Sequence, residues 1–373
     1  MRIALIQPST LPAQTANSIQ RMKMAQAMAS LGHDVRVFVA GSDPGIGWDG
    51  LARHYGLQHK FDLEWVPSLP ALRRYDFAIC SVERAGAWGA DLLYSRLPQA
   101  SAWAAMHGLP TLFEVHEAPT GFMGPWLMRR FLRAPGARRL VTITQALADK
   151  IATEYPLPAR ADFLQVAPSG VDMERYADLP APSAARQSLG LPEAFTVGYT
   201  GHFYAGRGLD LFLELAAALP EMRFLLVGGK EADVQTARQR AAGLGNLTLT
   251  GFVLNAELPR YQAAADVLIM PYGRQVSGSS GGDIAPYFSP MKMFEYLASA
   301  RPIIAGDLPV LREVLTDENA IILPGHDSAA WDAALRNLAG DPARREALAA
   351  AARRAAGQYT WEQRSQRMLD GLS

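Results

Sequence analysis

Cysteine is almost missing from this sequence. Cys80 is the single one in 373 residues, which excludes an intramolecular disulfide framework and any zinc site built from cysteines. Net charge is missing as well. Thirty-six basic residues face thirty-six acidic ones, so the markedly basic surface with which proteins meet nucleic acid is not expected. No run approaches the ~18 consecutive apolar residues that cross a bilayer. The opening Met1-Arg2-Ile3-Ala4-Leu5-Ile6 is too short for the apolar region of a signal peptide and reads as a first strand. The expectation is a cytoplasmic protein, peripheral to the inner face of the cell membrane if it meets a membrane at all. Lysine is scarce too. Only Lys23, Lys60, Lys150, Lys230 and Lys292 occur, so thirty-one of the thirty-six cations are arginine, and each lysine draws notice.

What is present is a folding chain. It is 49% apolar and 19% charged, unlike a disordered polymer, and its length suits two domains that each bury a core. Short apolar runs alternate with glycine-rich turns and longer amphipathic segments. Arg2–Gln7, a helical face through Met22, Ala25, Met28, Ala29 and Leu31, Gly32, and Val35–Val39 compose one βαβ unit. Further strands are expected at 77–80, 111–115 and 139–144, with helices at 89–106 and 145–155. After a Pro- and Ala-rich connection at 179–192 the pattern restarts. Strands are expected at 195–199, 224–228, 247–249, 267–270, 302–305 and 321–323, and a last amphipathic helix at 359–372. The fold class is therefore α/β, two doubly wound Rossmann-like domains, with a ligand cleft expected where the carboxyl ends of their sheets face each other.

Three segments of the second half carry chemistry. Gly201-His202-Phe203-Tyr204-Ala205-Gly206-Arg207-Gly208 follows a strand and opens a helix, so close backbone approach, free amides and Arg207 can meet an anion. Without GxGxxG spacing it is no dinucleotide fingerprint, and glycine turns of purely geometric origin are common. Gly228-Gly229-Lys230 repeats the arrangement at the next strand end; a solvated surface lysine is the plainer reading of Lys230 taken alone. The polar loop Ser277–Asp283 leads to Ser289-Pro290-Met291-Lys292-Met293-Phe294-Glu295. There Ser289 suits a helix cap, Pro290 the first helical position, and Glu295 a carboxylate that accepts both hydroxyl hydrogens of a ribose. A surface ion pair between Lys292 and Glu295 is the alternative.

Taken with Gly251-Phe252-Val253, Tyr261–Asp266, Pro302–Ala305 and Glu313, these segments make the chain resemble the retaining glycosyltransferases of the GT-B class, family 4. The resemblance implies residues 1–181 as an acceptor-binding domain and 182–355 as a nucleotide-sugar-binding domain. It also implies that 356–373 form a helix returning to the first. A nucleotide-diphosphate sugar, UDP- or GDP-linked, is the implied donor; no metal or other cofactor is called for, and no oligomeric state is specified. Arg207 and Lys230 match the cations that neutralise the diphosphate, assisted by backbone at Gly201, His202, Ser289, Pro290 and Met291 and by Lys292. Glu295 matches the ribose-binding carboxylate, Phe252 and Val253 lie at the base, and His116, in Glu114-Val115-His116-Glu117, matches a first-domain histidine facing the sugar.

The chain departs from the family pattern in three places. Tyr287 stands where members often carry an acid near the donor sugar, with Asp283 as a candidate replacement. His202 stands where arginine is frequent. The loop 8–18 lacks paired glycines. The implied reaction retains the anomeric configuration without an enzymatic nucleophile. The acceptor would be a hydroxyl of a glycan, a lipid-linked glycan or a small molecule, in cell-surface polysaccharide or glycolipid synthesis. The segment Trp126–Arg133 with Arg138-Arg139 reads either as an arginine-faced helix or as a contact to an anionic membrane. A nucleotide-sugar epimerase of similar fold and a non-catalytic nucleotide-sugar sensor are the competing readings.

Overall fold

The computed structural model describes residues 1–278 and 282–372. The chain divides into two units. Unit 1 comprises Met1–Ser169 together with the segment from Trp361 onward, and unit 2 comprises Gly170–Thr360.

In unit 1 the strands are β1 (Arg2–Gln7), β2 (Asp34–Ala40), β3 (Asp62–Val66), β4 (Leu92–Ser95), β5 (Thr111–Val115), β6 (Ala137–Thr142) and β7 (Leu164–Val166). They form a parallel sheet in the order β3-β2-β1-β4-β5-β6-β7. Near-continuous burial along β1, β4 and β5 is what a parallel sheet covered on both faces demands. Unit 2 carries β8 (Thr196–Thr200), β9 (Arg223–Val227), β10 (Leu247–Gly251), β11 (Val267–Met270), β12 (Ile303–Gly306) and β13 (Ile321–Leu323). These too are parallel, in the order β10-β9-β8-β11-β12-β13.

The expected strand at Phe77–Cys80 is instead part of the helix Tyr75–Trp88, and the fourth strand lies in Leu92–Ser95, within a stretch expected to be helical. The reason is spacing over a longer window. Phe77, Ala78, Val82 and Ala85 recur on one helical face and pack with Ala4, Ile6 and Leu93. The helix Gly47–Tyr55 and strand β3 also form, in a stretch where no periodic element was expected.

The units divide at 169/170 and 360/361, not at 181/182 and 355/356. Residues 170–181 are tied into unit 2 before the connection ends. Val171 bridges Thr360, Val171 N–H donates to the Tyr359 carbonyl at 2.9 Å, and Tyr176 Oη donates to Gln262 at 2.9 Å. The last helix, Trp361–Leu369, packs on the helix Ala16–Ser30 of unit 1 and buries Trp361, Arg364 and Met368.

Candidate functional site

The strand order of unit 2 reverses between β8 and β11, the place where a doubly wound sheet is expected to offer a crevice at its carboxyl ends. The loops after these strands are fused by hydrogen bonds. Gly273 N–H donates to the Gly206 carbonyl at 2.9 Å and Ser277 N–H to that of Ala205 at 3.0 Å. Glycine is required at both close approaches. Gly206 and Gly208 have φ of 78° and 86°, and a β-carbon on either would collide with the carbonyl of Gln275 or Pro271.

Within this corner Arg207 and Lys230 converge on one ring. The Arg207 guanidinium lies 5.0 Å and the Lys230 ammonium 5.5 Å from the centre of Tyr204, on which the His202 ring stacks at 5.1 Å. Arg207 Nε is buried without a hydrogen-bond partner. Tyr204 was not expected as a site residue; its place three residues before Arg207 in a glycine-rich loop is the one signal it gave. Gly201 has φ of 127° and lies over Lys292, whose Nζ would be 2.9 Å from an added β-carbon. Lys292 is not a surface cation. It is 8% exposed, its Nζ has no hydrogen-bond acceptor, and it sits 3.6 Å from the centre of the Tyr199 ring. Burial, reinforced by Arg207 and opposed by Glu295, holds its pKa well below that of a free lysine.

Glu295 is half-buried on the helix Met291–Ala298. Its Oε2 accepts from Gln262 Nε2 at 3.4 Å, and Gln262 also reaches Thr200 Oγ1 and accepts from Tyr176. This string orients the carboxylate, and neither Gln262 nor Tyr176 announces such a role in sequence. Pro290, with ψ of 124°, occupies the cap position of the helix rather than its first turn, so Ser289 lies one residue outside the cap where it was expected. Phe252 and Val253 follow β10 at the same edge of the sheet, with Phe252 39% exposed. Asp283 Oδ1 accepts from Val276 N–H at 2.9 Å and Ala285 N–H at 3.0 Å, so one of its oxygens shapes the loop, and these bonds lower its pKa. Ser279, Ser280 and Gly281 of the expected polar loop lie outside the described residues. Among the described residues no group of three or more His, Cys, Asp or Glu side chains could hold a metal ion.

His116 belongs to unit 1. It follows β5, and its Nε2 is hydrogen-bonded to Glu114 Oε1. Glu114 is fully buried and also accepts from Tyr94, from Gln20 Nε2 at 3.0 Å and from Arg364 at 2.9 Å. Burial alone would raise the Glu114 pKa, but Arg364 and His116 overcome it and hold the carboxyl well below its usual range. Burial and the Arg96 charge lower His116 to about 3 despite Glu114, so the ring is neutral at physiological pH. A histidine buried neutral stabilises the fold fully above its unfolded pKa, and this contribution fades as pH falls from 6.5 toward about 3. Thermal unfolding of wild type is therefore expected to lose stability through that window more steeply than His116→Gln; parallel profiles would remove His116 as the cause.

At the surface of unit 1, the helix Met123–Leu132 buries Leu127, Met128, Phe131 and Leu132. It leaves Trp126 40% exposed beneath Arg130 and is preceded by Phe122, 84% exposed. No helix among the described residues is long and apolar enough to cross a membrane.

Comparison with known proteins agrees with this architecture. The family model for Glycosyltransferase Family 4 matches residues 22–175 and that for glycosyl transferases group 1 matches 194–341. The D-inositol 3-phosphate glycosyltransferase of Xylanimonas cellulosilytica is 28% identical over 245 residues, 62% of this chain and 55% of that protein. Its counterpart in Geodermatophilus obscurus is 32% identical over 254 residues, 63% of this chain and 51% of its own. The chain thus spans about half the length of the curated relatives it matches. Sucrose-phosphate synthase from Thermosynechococcus elongatus superposes with a TM-score of 0.74 at 18% identity, covering 99% of this chain and 97% of that one. Anabaena HepE, solved with UDP-glucose, superposes with a TM-score of 0.73 at 17% identity, covering 100% and 99%. With two family models that between them match most of its length and a fold shared from end to end, this chain belongs to the family 4 glycosyltransferases of the GT-B class.

Proposed function

We propose that the protein is a retaining glycosyltransferase that moves a hexose-type sugar from a UDP- or GDP-linked donor to an acceptor hydroxyl. The observation that carries this reading is the convergence of Arg207 and Lys230 on Tyr204 at the carboxyl ends of β8 and β9. Two cations held at one aromatic ring, beside glycine backbone and with Lys292 beneath Gly201, suit a diphosphate. Glu295, oriented by Gln262, accepts hydrogen bonds from the ribose, and the backbone at Phe252 and Val253 meets the base. The N–H groups of Ser289 and Met291, on either side of Pro290, face the donor, with Asp283 the candidate acid on its sugar side.

As the glycosidic bond breaks, charge develops on the departing diphosphate, where Arg207 and Lys230 stabilise it without reorganising. A diphosphate oxygen takes the acceptor proton on the same face of the sugar, which retains the anomeric configuration without a protein nucleophile. Neutral His116, its Nε2 engaged by Glu114, positions a hydroxyl through Nδ1. No metal ion enters, since side-chain cations supply the charge. A lipid-linked acceptor is favoured by Phe122 and Trp126, exposed beside Arg129 and Arg130, which suit peripheral contact with an anionic bilayer at the inner face of the cell membrane.

A donor-by-acceptor screen with mass detection and anomer analysis tests this. It includes lipid-linked acceptors in anionic vesicles. Acceptor-dependent release of nucleotide diphosphate with an α-configured product from an α-donor is expected. Epimer formation without extension of any acceptor would identify an epimerase instead, and donor binding without turnover a sensor. In the same assay Glu295→Ala is expected to weaken intact donor at least tenfold more than pyrophosphate, and equal losses would remove its ribose role.

A further inference from the structure

The sheet of unit 1 has its own switch point. Its order reverses between β1 and β4, so a crevice is expected outside the carboxyl ends of these two strands. The residues gathered there are cationic. Arg96 directly follows β4 and donates to Asn17 Oδ1 at 2.6 Å and Gln20 Oε1 at 3.0 Å, both on the opening turns of the helix after β1. Arg21, on the next turn, lies 4.4 Å over the Tyr94 ring and is 1% exposed, and none of its three guanidinium nitrogens has a hydrogen-bond partner. Gln7, the last residue of β1, is fully buried with both amide atoms unpartnered. Register pairs Leu5 with Tyr94 and Tyr94 with Leu112, so alternation sets Gln7, Tyr94 and Glu114 on one face of the sheet.

The charges acting on Arg96 do not balance. Burial, with Arg21 and Arg364 beside it, lowers the Arg96 pKa to about 10 against the opposing pull of Glu114 and Tyr94, and three guanidinium groups thus share one carboxylate that also serves Gln20, Tyr94 and His116. The amino end of the helix adds partial positive charge. Unpaired buried cations are costly, and a fold that keeps one unpaired beside a switch point is shaped to receive an anion. Arg96 and His116 are the members of the cluster with ionisable groups that reach solvent, beside half-buried Asn17, and the His116 side chain is 21% exposed.

We propose that this cluster recognises an oxyanion, a phosphate or carboxylate, carried by the acceptor. Arg96 makes the contact, Arg21 lies behind it, and the Gln7 amide serves neighbouring hydroxyls. The assignment to the acceptor rests on the reading of unit 1 as the acceptor side; the anion site itself does not.

The test follows the unfolding temperature of the full chain without donor, in inorganic phosphate or acetate against chloride at matched ionic strength. Phosphate at a hundredfold excess over its Kd is expected to raise it by about 5 °C in Lys230→Ala, whose donor-side anion corner is weakened, and by at least as much in wild type. Added to Lys230→Ala, Arg96→Gln is expected to abolish the shift, with Arg96→Lys reducing it should the first variant not fold. Arg21→Met is expected to unfold at a higher temperature than wild type in chloride, because an unpaired buried charge is gone, and to respond less to phosphate. An equal shift with acetate assigns a carboxylate as well as a phosphate ligand. A shift that survives when Arg96→Gln is combined with Lys230→Ala, one that vanishes in Lys230→Ala alone, or no anion response in wild type overturns the proposal. None of these readouts requires turnover, so failure of the glycosyl-transfer reading would show separately, in the activity screen.

Discussion

Lys230→Ala is expected to lower kcat for sugar transfer by about 10²–10³ while leaving the unfolding temperature within a degree or so of wild type. The two halves of this expectation have separate causes. Lys230 stands at the cap of the helix Glu231–Arg240, makes no side-chain capping bond and is exposed, so few native contacts depend on it. Its ammonium nevertheless addresses the same ring as Arg207 and would meet charge that grows only as the donor bond breaks. An interaction of that kind appears in kcat more than in KM. Arg207→Ala would lose activity comparably but is a less clean probe, because it also strips a partly buried guanidinium from Tyr204. Steady-state kinetics beside a thermal melt decides the matter. A large fall in unfolding temperature with kcat intact would make Lys230 a structural residue.

Glu114→Gln is expected to destabilise unit 1 by about 3–5 kcal/mol, read as a fall in urea midpoint at unchanged slope. The amide keeps the shape but leaves the Arg364 side chain, 1% exposed, without its counter-charge at 2.9 Å. Arg364→Met strands Glu114 in the reverse sense and is expected to cost a similar amount. The double variant is then expected to be far less damaged than the sum of the two, because it buries neither charge alone. Simple additivity would show that the pair does not act as a unit.

The sequence made some of this legible and hid the rest for identifiable reasons. Strands such as β1, β5, β9 and β11 declare themselves because a central parallel strand is apolar throughout and bounded by turns. Phe77–Cys80 satisfies the same local criterion, and its helical state shows only when Val82 and Ala85 are counted with it. Glycines before Arg207 and Lys230 marked the anion corner, since backbone without a β-carbon carries its own signal. The parts played by Tyr204, Gln262 and Tyr176 are relations of position, and an aromatic or amide side chain looks alike in a core and in a site. Likewise, nothing local to Glu114 reveals that its counter-charge lies 250 residues away.

That separation has a consequence for how the molecule is made. At about 5–20 residues per second, a ribosome that has placed Glu114 reaches Arg364 only some tens of seconds later. All of unit 2 is synthesised in the interval. The nascent first unit must therefore spend that time with a carboxylate it cannot yet bury at low cost and with the helix Ala16–Ser30 still uncovered where Trp361–Leu369 will dock. Vectorial synthesis lets the later-made unit finish folding before the earlier-made one closes, so the window in which a chaperone can hold the chain is written into its order of elements.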